Sequence, residues 1–145
     1  MGHSYSPIFR VTPLAGAQYT VDASAFSYLN VAQPLYEWLA TQNQFIDKSV
    51  GVTPFGYRCR VEMMMTFFTP SANDTTFSEQ LLTEAAEPLA TIELSLDSGT
   101  TYREVTLESF EQKAVADKNI GVIYVSTWAC KDLLDNKPAV GSGSW

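Results

Sequence analysis

The chain has 145 residues, of which 46% are hydrophobic, and a formal net charge of -7. A chain of this length can bury about two-thirds of its unfolded surface in one core, so the sequence predicts a single domain over residues 1–145. No run approaches the roughly 20 apolar residues of a membrane helix, and residues 1–7 lack the basic and apolar segments of a signal peptide. We therefore expect neither a membrane span nor secretion by the standard route.

The negative charge is unevenly distributed along the chain. Residues 1–70 contain four acids and four bases, whereas residues 71–145 contain twelve acids and five bases and so account for the whole net charge of -7. Because such an excess repels phosphate, it argues against a nucleic-acid-binding face in the second half. A solvated, solubilising surface is the simpler interpretation.

The first third of the chain predicts two short strands, over residues 8–12 and 18–22, with a turn between them. Residues 25–32 fit neither the helical nor the strand period, and we expect them to be irregular. Pro34 then has the character of a first-turn proline, and the apolar residues that follow it recur at helical spacing to about Asp47. This pattern predicts a helix that packs on a sheet.

The middle of the chain predicts a loop, a long strand and a short helix. The glycines and proline of residues 51–56 indicate the loop, and residues 57–69 form the strand, which begins amphipathic and ends apolar on both faces. At about 3.3 Å per residue the strand would span roughly 40 Å, so it either bends or is covered by another subunit. After a turn over residues 70–74, Thr76 and Glu79 have capping-box spacing and predict a helix over residues 77–86, with a flexible acidic loop as the alternative.

The last third predicts a β-meander. Residues 91–97 and 102–110 alternate between apolar and polar and are joined by a glycine-containing turn, which indicates a hairpin. Residues 120–130 are apolar on both faces and predict a central strand. We expect an α+β fold, a β-rich sandwich or barrel-like antiparallel sheet with one flanking α-helix and one short helix, and with extended arms over residues 1–7 and 135–145.

The sequence offers little for catalysis or metal binding. His3 is the only histidine, so histidine-dependent nucleophilic sites and histidine metal sites lack their central residue. Glu104 and Glu108 share a strand face, but four residues along a strand place their Cα atoms about 13 Å apart. Because motifs for phosphate or calcium are also absent, we expect a protein that is not an enzyme, with no catalytic, cofactor-binding or metal-binding residues.

The two cysteines, Cys59 and Cys130, each lie inside a predicted strand, 71 positions apart. Metal sites usually take their cysteines in close pairs, and neither residue has a second cysteine nearby. Two small buried hydrophobic side chains are the commoner outcome for such residues. A disulfide between adjacent strands remains the alternative.

Three segments follow one another in the order strand, glycine turn, aromatic residue, strand and strand: residues 90–102, 105–110 and 122–128. In this sequence pattern, which covers about a third of the chain, they resemble the β-meander of tailed-bacteriophage tail and baseplate structural proteins. The resemblance implies a small β-rich domain, flanked by a helix, that assembles into rings or tubes through long strands, loops and ordered termini. It also implies a location in the virion after synthesis in the host cytoplasm, with copies of the same chain and other virion proteins as partners.

The preferred functional hypothesis is therefore a non-enzymatic virion structural protein of a phage tail, neck or baseplate. It would use no cofactor and bind no specific nucleic-acid sequence. The apolar strand, the loop before it and the C-terminus predict the subunit contacts, which are Val52, Phe55, Met63, Met64, Met65, Phe67, Phe68 and Trp145.

The alternative hypothesis is a soluble carbohydrate- or small-molecule-binding module. In such a module exposed aromatic side chains stack against the ligand. The candidates for this platform are Tyr5, Tyr19, Tyr28, Trp38 and Trp145.

Overall fold

The computed structural model describes residues 5–44, 50–68, 71–84, 90–113 and 122–135. Within these ranges the chain forms eight β-strands, one α-helix and a short 3-10 turn at Ala23–Ala25. The elements are β1 (Ile8–Pro13), β2 (Tyr19–Val21), β3 (Phe26–Val31), β4 (Leu35–Gln44), β5 (Val50–Phe67), α1 (Ala72–Glu84), β6 (Ala90–Ser95), β7 (Arg103–Lys113) and β8 (Ile123–Cys130).

The eight strands form one antiparallel sheet that curls into a half-barrel. Its order is β2-β1-β6-β7-β8-β5-β3, and β4 also pairs with β5. The β-rich α+β class is confirmed, as are the hairpin of β6 and β7 and the central position of β8. The curled sheet covers one side of a single core, and the helix α1 covers the other side.

Alternating residues of the strands supply this core. Phe9 of β1, Leu94 of β6 and Trp128 of β8 are fully buried, as expected where one face of a sheet is covered. Phe77 of α1 reaches the same region, and the ring centroid of Phe9 lies 4.9 Å from that of Phe77 and 4.9 Å from that of Trp128. The helix thus packs on the inner face of the sheet through aromatic contacts.

The predicted helix after Pro34 is wrong over the described residues, because β4 occupies Leu35–Gln44. Every second residue of β4 faces the same way, so Tyr36 and Trp38 lie opposite Cys59 and Tyr57 of β5. Ten residues of β4 pair with β5, and this long-range ladder overrides a helical spacing of apolar residues that is coincidental. Residues 45–47 of the predicted helix lie outside the described residues.

The predicted loop over residues 51–56 is also wrong, because these residues belong to β5. The register shifts between Leu39 and Ala40, which pair with Gly56 and Pro54, so Phe55 is an extra residue in its strand. Gly56 has a φ of +122°, a conformation that glycine adopts without a steric penalty. The glycine and the extra residue mark a β-bulge rather than a chain reversal.

Two smaller predictions need correction. Residues 26–31, expected to be irregular, form β3. The short helix is confirmed but begins at Ala72, where the Ser71 hydroxyl accepts a hydrogen bond from the Asp74 N–H at 3.2 Å. Ser71 therefore caps the helix in place of Thr76, whose hydroxyl donates to the Ala72 carbonyl inside it. Residues 85 and 86 lie outside the described residues.

Candidate assembly interface

The most unusual feature of the molecule is a two-stranded ribbon that projects beyond the sheet. We define the ribbon as β4 together with residues 50–59 of β5. Strand β8 pairs with β5 only from Arg60 to Met65, and one further bridge joins Tyr57 to Leu134. In the described part of the chain β5 has only β4 beside it from residue 50 to residue 56. The six β4–β5 pairs beyond Tyr57 extend about 20 Å past the bridge, at about 3.3 Å per residue.

Large apolar side chains are exposed along this ribbon and at its root. Leu35 is 71% exposed, Phe55 54% and Trp38 51%. Trp38 packs against Tyr57 across the two strands, with ring centroids 5.1 Å apart, and leaves its other side open. An isolated two-stranded hairpin is marginally stable in water, so such a ribbon gains from a further surface to pack against.

The ribbon also lies on a long open edge of the sheet. Strands β3 and β4 follow one another along the same side of β5, and the Ala32 N–H continues the pairing by donating to the Glu62 carbonyl at 2.9 Å. Among the described residues neither strand has a partner on its outer side. Natural edge strands are usually short, charged or covered, yet Glu37 is the only charged residue in the sixteen residues of β3 and β4.

The opposite edge of the sheet is built differently. It ends in β2, which has three residues and is contacted by α1. A short strand beside a helix offers few free backbone groups to another chain. In the described part of the chain the two ends of the sheet therefore differ, because the β3–β4 end presents a long open edge and the β2 end does not.

Four of the predicted contact residues cannot be assigned to this surface. Met63 and Met65 are fully buried in the core of the subunit, because they lie on the inner face of β5. Their side chains fill the core, as methionines commonly do. The side chain of Val52 and the whole of Trp145 lie outside the described residues.

The other four are accessible to different extents. Phe55 and Phe68 are exposed, at the ribbon and at the opposite end of β5. Met64 is half-buried between Asn30 and Val125 on the outer face of the sheet. Phe67 is half-buried in an aromatic cluster with Phe110 and Tyr124, whose rings stack at 5.0 Å.

Leu35 and Trp38 were not predicted to be exposed on a strand, because their spacing predicts a helix. The aromatic residues Tyr36 and Trp38, two positions apart and followed by a second strand-forming stretch, could have indicated a hairpin. The predicted N-terminal arm over residues 1–7 is described only from residue 5. There Ser6 pairs with the β6–β7 turn, since its N–H donates to the Leu96 carbonyl at 3.0 Å and its carbonyl accepts from the Ser98 N–H at 3.2 Å. The predicted C-terminal arm is described only at residue 135.

Glu93 of the outer face is held in an ion pair. Glu93 binds Arg10 through two hydrogen bonds of 2.7 and 3.1 Å, and the Arg10 guanidinium also lies 3.9 Å above the ring of Tyr102. The Glu93 hydrogen bonds raise the pKa of Arg10 further. Such half-exposed pairs add little stability, about 1 kcal/mol or less, but they neutralise part of the negative charge of this face.

The two carboxylates considered for catalysis serve separate ion pairs. Glu104 pairs with Lys131 at 3.5 Å and Glu108 with Arg60 at 3.2 Å. No cluster of three histidine, cysteine or carboxylate side chains suited to a metal ion occurs in the described ranges. In the same ranges no helix is both long and apolar enough to cross a bilayer.

The aromatic residues considered for ligand stacking do not share one cavity. Tyr5 lines a cavity of about 590 Å³ beside residues 22–24, and Tyr19 lines another of about 510 Å³ beside the middle of α1. The linings of both cavities lack Tyr28 and Trp38. Trp145 lies outside the described residues. The described aromatics thus provide no common stacking platform at these two cavities.

Comparison with known proteins assigns no relatives to this chain. No protein-family model matches it, and no curated protein matches it at a significant level.

Proposed function

We propose that this chain is a non-enzymatic virion structural protein of a phage tail, neck or baseplate, and that it assembles with copies of itself into rings or tubes. One observation carries the assembly part of this proposal. The sheet has a long, nearly uncharged open edge at β3 and β4, with exposed Leu35, Trp38 and Phe55 on the ribbon that continues it. Unpaired N–H and C=O groups on such an edge bind a strand of another chain, and exposed apolar side chains add buried area to that contact.

A second observation supports the virion part of the proposal. The three segments whose sequence pattern resembles that of phage tail and baseplate proteins form three consecutive antiparallel strands, β6, β7 and β8. The protein would act by docking, and three carboxylates of this meander, those of Glu93, Glu104 and Glu108, are already held in ion pairs with cations of neighbouring segments. Its location would be the virion, after synthesis in the host cytoplasm.

Solution mass and electron microscopy test this proposal. We expect the wild-type protein to give a concentration-dependent series of oligomers by light scattering after gel filtration, and rings or tubes in negative stain. A double variant, Leu35→Lys with Phe55→Lys, places charges on the ribbon and should shift the protein to the 16 kDa monomer. A monomer of the wild-type chain at every concentration contradicts self-assembly and favours the ligand-binding alternative.

A matched control separates the ribbon from general surface charge. Leu14 and Leu82 are also exposed leucines, but they lie in the β1–β2 turn and on α1, away from the ribbon. The double variant Leu14→Lys with Leu82→Lys adds the same two charges and should keep the wild-type oligomers. If both double variants lose assembly to the same extent, the ribbon has no special role.

A further inference from the structure

Two cysteines face each other at the root of the ribbon. Cys59 lies in β5 and Cys130 ends β8. The register that pairs Arg60 with Ala129 places Cys59 opposite Cys130 one step further along. Directly opposed residues of antiparallel strands have side chains on the same face and Cα atoms about 4.5–5.5 Å apart, and a disulfide requires about 4.4–6.8 Å. The backbone is therefore already placed for a bond between the two sulfur atoms.

The two thiols are free, buried and in contact with each other. A hydrogen bond from Cys130 lowers the pKa of the Cys59 thiol, opposed by burial and helped by Tyr36 and the Arg103 guanidinium. The same hydrogen bond, together with burial, raises the pKa of Cys130. The Cys130 thiol thus stabilises the Cys59 thiolate by a hydrogen bond. A thiolate is the form of cysteine that reacts in thiol–disulfide exchange.

Tyr36 of β4 lies opposite Cys59, so its side chain is next to that of Cys59 on the inner face of the sheet. Its hydroxyl is buried and has no hydrogen-bond partner of regular geometry among the described residues, although it lies close enough to Cys59 to interact with that thiol. Burial, followed by the proximity of Cys59, raises the pKa of Tyr36. The hydroxyl stays protonated and can act as a donor to a Cys59 thiolate.

A polar cavity of about 320 Å³ leads to one of the two cysteines, Cys130. Its lining includes Cys130 with Arg103, Glu104 and Asp132, and it does not include Cys59. Cys59 is fully buried behind it. A small molecule can therefore meet Cys130 first, while Cys59 is placed to react only with its neighbour.

We propose that Cys130 and Cys59 are a redox-active pair that a low-molecular-weight disulfide oxidises to a cross-strand disulfide. In the first step Cys130, the thiol that the small disulfide can reach, passes its proton to the Cys59 thiolate, attacks one sulfur of the small disulfide, forms a mixed disulfide and releases one small thiolate. In the second step Cys59 gives this proton to the released thiolate or to solvent, and its thiolate attacks the Cys130 sulfur and releases the second small thiolate. Two protein thiols are oxidised, and one small disulfide is reduced to two thiols, with the two protein protons passing to the released thiolates or solvent.

The new bond would tie the ribbon to the body of the protein. The pair lies beside the bridge in which the Tyr57 N–H donates to the Leu134 carbonyl at 2.8 Å and the Leu134 N–H donates to the Tyr57 carbonyl at 2.9 Å. These two hydrogen bonds are the last link between β5 and the segment after β8. A covalent bond at this point restricts how the ribbon can splay from the sheet, whatever the ribbon binds.

Reaction of the full-length reduced protein with 2-hydroxyethyl disulfide tests the proposal. Remaining thiols are alkylated with N-ethylmaleimide in denaturant, and the products are analysed by intact mass and by a tryptic digest without reductant. We expect a product that has lost two hydrogen atoms and carries no alkylation. We also expect a disulfide that joins the peptide of residues 119–131 to the dipeptide of residues 59–60. The oxidised protein should have a higher Tm than the reduced protein, and dithiothreitol should reverse the change.

Two variants separate the order of the steps. Cys59→Ala leaves no second thiol, so the mixed disulfide at Cys130 should accumulate. Cys130→Ala leaves only the buried Cys59 and should remain unmodified. A wild-type protein that keeps both thiols, or that stops at the mixed disulfide, overturns the proposal. Modification of Cys59 in Cys130→Ala as fast as that of Cys130 in Cys59→Ala overturns the assigned roles.

Discussion

The body of the protein and its ribbon are made from the same strand, yet they depend on different contacts. In the body, β5 lies between β8 and β3, and its inner residues Val61, Met63 and Met65 are fully buried beneath the rest of the sheet. In the ribbon, β5 has β4 alone over residues 50–56 among the described residues, and Trp38 and Phe55 stay half open to solvent. The described residues of the body cover its apolar side chains, whereas in the ribbon the described residues leave large apolar side chains open to solvent.

The largest expected effect contrasts two aromatic side chains, one in each region. Phe77→Ala removes the side chain that packs α1 onto Phe9, and we expect a loss of about 3–5 kcal/mol in the free energy of unfolding. Trp38→Ala removes a larger side chain that is already half exposed and packs on the ring of Tyr57. We expect it to cost only about 1 kcal/mol in the monomer. Urea denaturation of both variants measures the difference, and equal losses would show that the ribbon is as tightly packed as the body.

A smaller effect is expected where the ribbon meets the body. A Cβ added at Gly56 would lie 2.6 Å from the Leu134 carbonyl oxygen, and the φ of this residue is +122°. We expect Gly56→Ala to lower the free energy of unfolding by about 2 kcal/mol, through both the clash and the strained backbone.

Gly16 is the matched control for that substitution. Its φ is also positive, +110°, but an added Cβ would lie 3.8 Å from the Pro13 side chain, which is an ordinary contact. Gly16→Ala should therefore cost about 1 kcal/mol, from the backbone alone. If the two variants unfold at the same urea concentration, the contact between Gly56 and Leu134 does not hold the root of the ribbon.

The smallest effect concerns the hairpin turn of the body. Burial disfavours the charged form of Asp97, but hydrogen bonds from the Thr101 N–H at 2.8 Å and the Ser95 hydroxyl at 2.7 Å outweigh it and lower the pKa of this carboxyl. A lowered pKa in the folded state stabilises the protein above the unfolded-state pKa, and this contribution is lost as the pH falls through the folded-state pKa.

Because Asp97 is only half-buried, we expect this contribution to be below about 1 kcal/mol. Asp97→Asn should remove it, so the variant should lose less stability than the wild type between neutral pH and about pH 3. Urea denaturation at both pH values measures this difference. Identical pH dependences would mean that the turn does not rely on the charged carboxylate.

The body was largely predictable from the sequence, and the ribbon was not. In β6 the alternation of Ile92 and Leu94 with polar residues fixes both the strand and its buried face, because one face is in water. In β4 the same period is obscured, since Leu35, Trp38 and Leu39 also fit a helical spacing. What makes β4 a strand is its pairing with residues 6 to 25 positions away, most of which lie beyond the reach of a local pattern.

The candidate interface was predictable only in part, for a related reason. Phe55 was identified because apolar residues in a glycine-containing stretch were expected at the surface. Met63 and Met65 were expected there because both faces of their strand are apolar, and periodicity does not tell which face the subunit itself covers.

Amide hydrogen exchange, measured by mass spectrometry at several protein concentrations, tests the central claim most directly. If the open edge pairs with another subunit, amides of β3 and β4 should become protected as the concentration rises, while those of β2 at the other edge stay unchanged. The Leu35→Lys with Phe55→Lys variant should show no such increase. Oligomers that form while the exchange of β3 and β4 remains constant would contradict assembly through this edge.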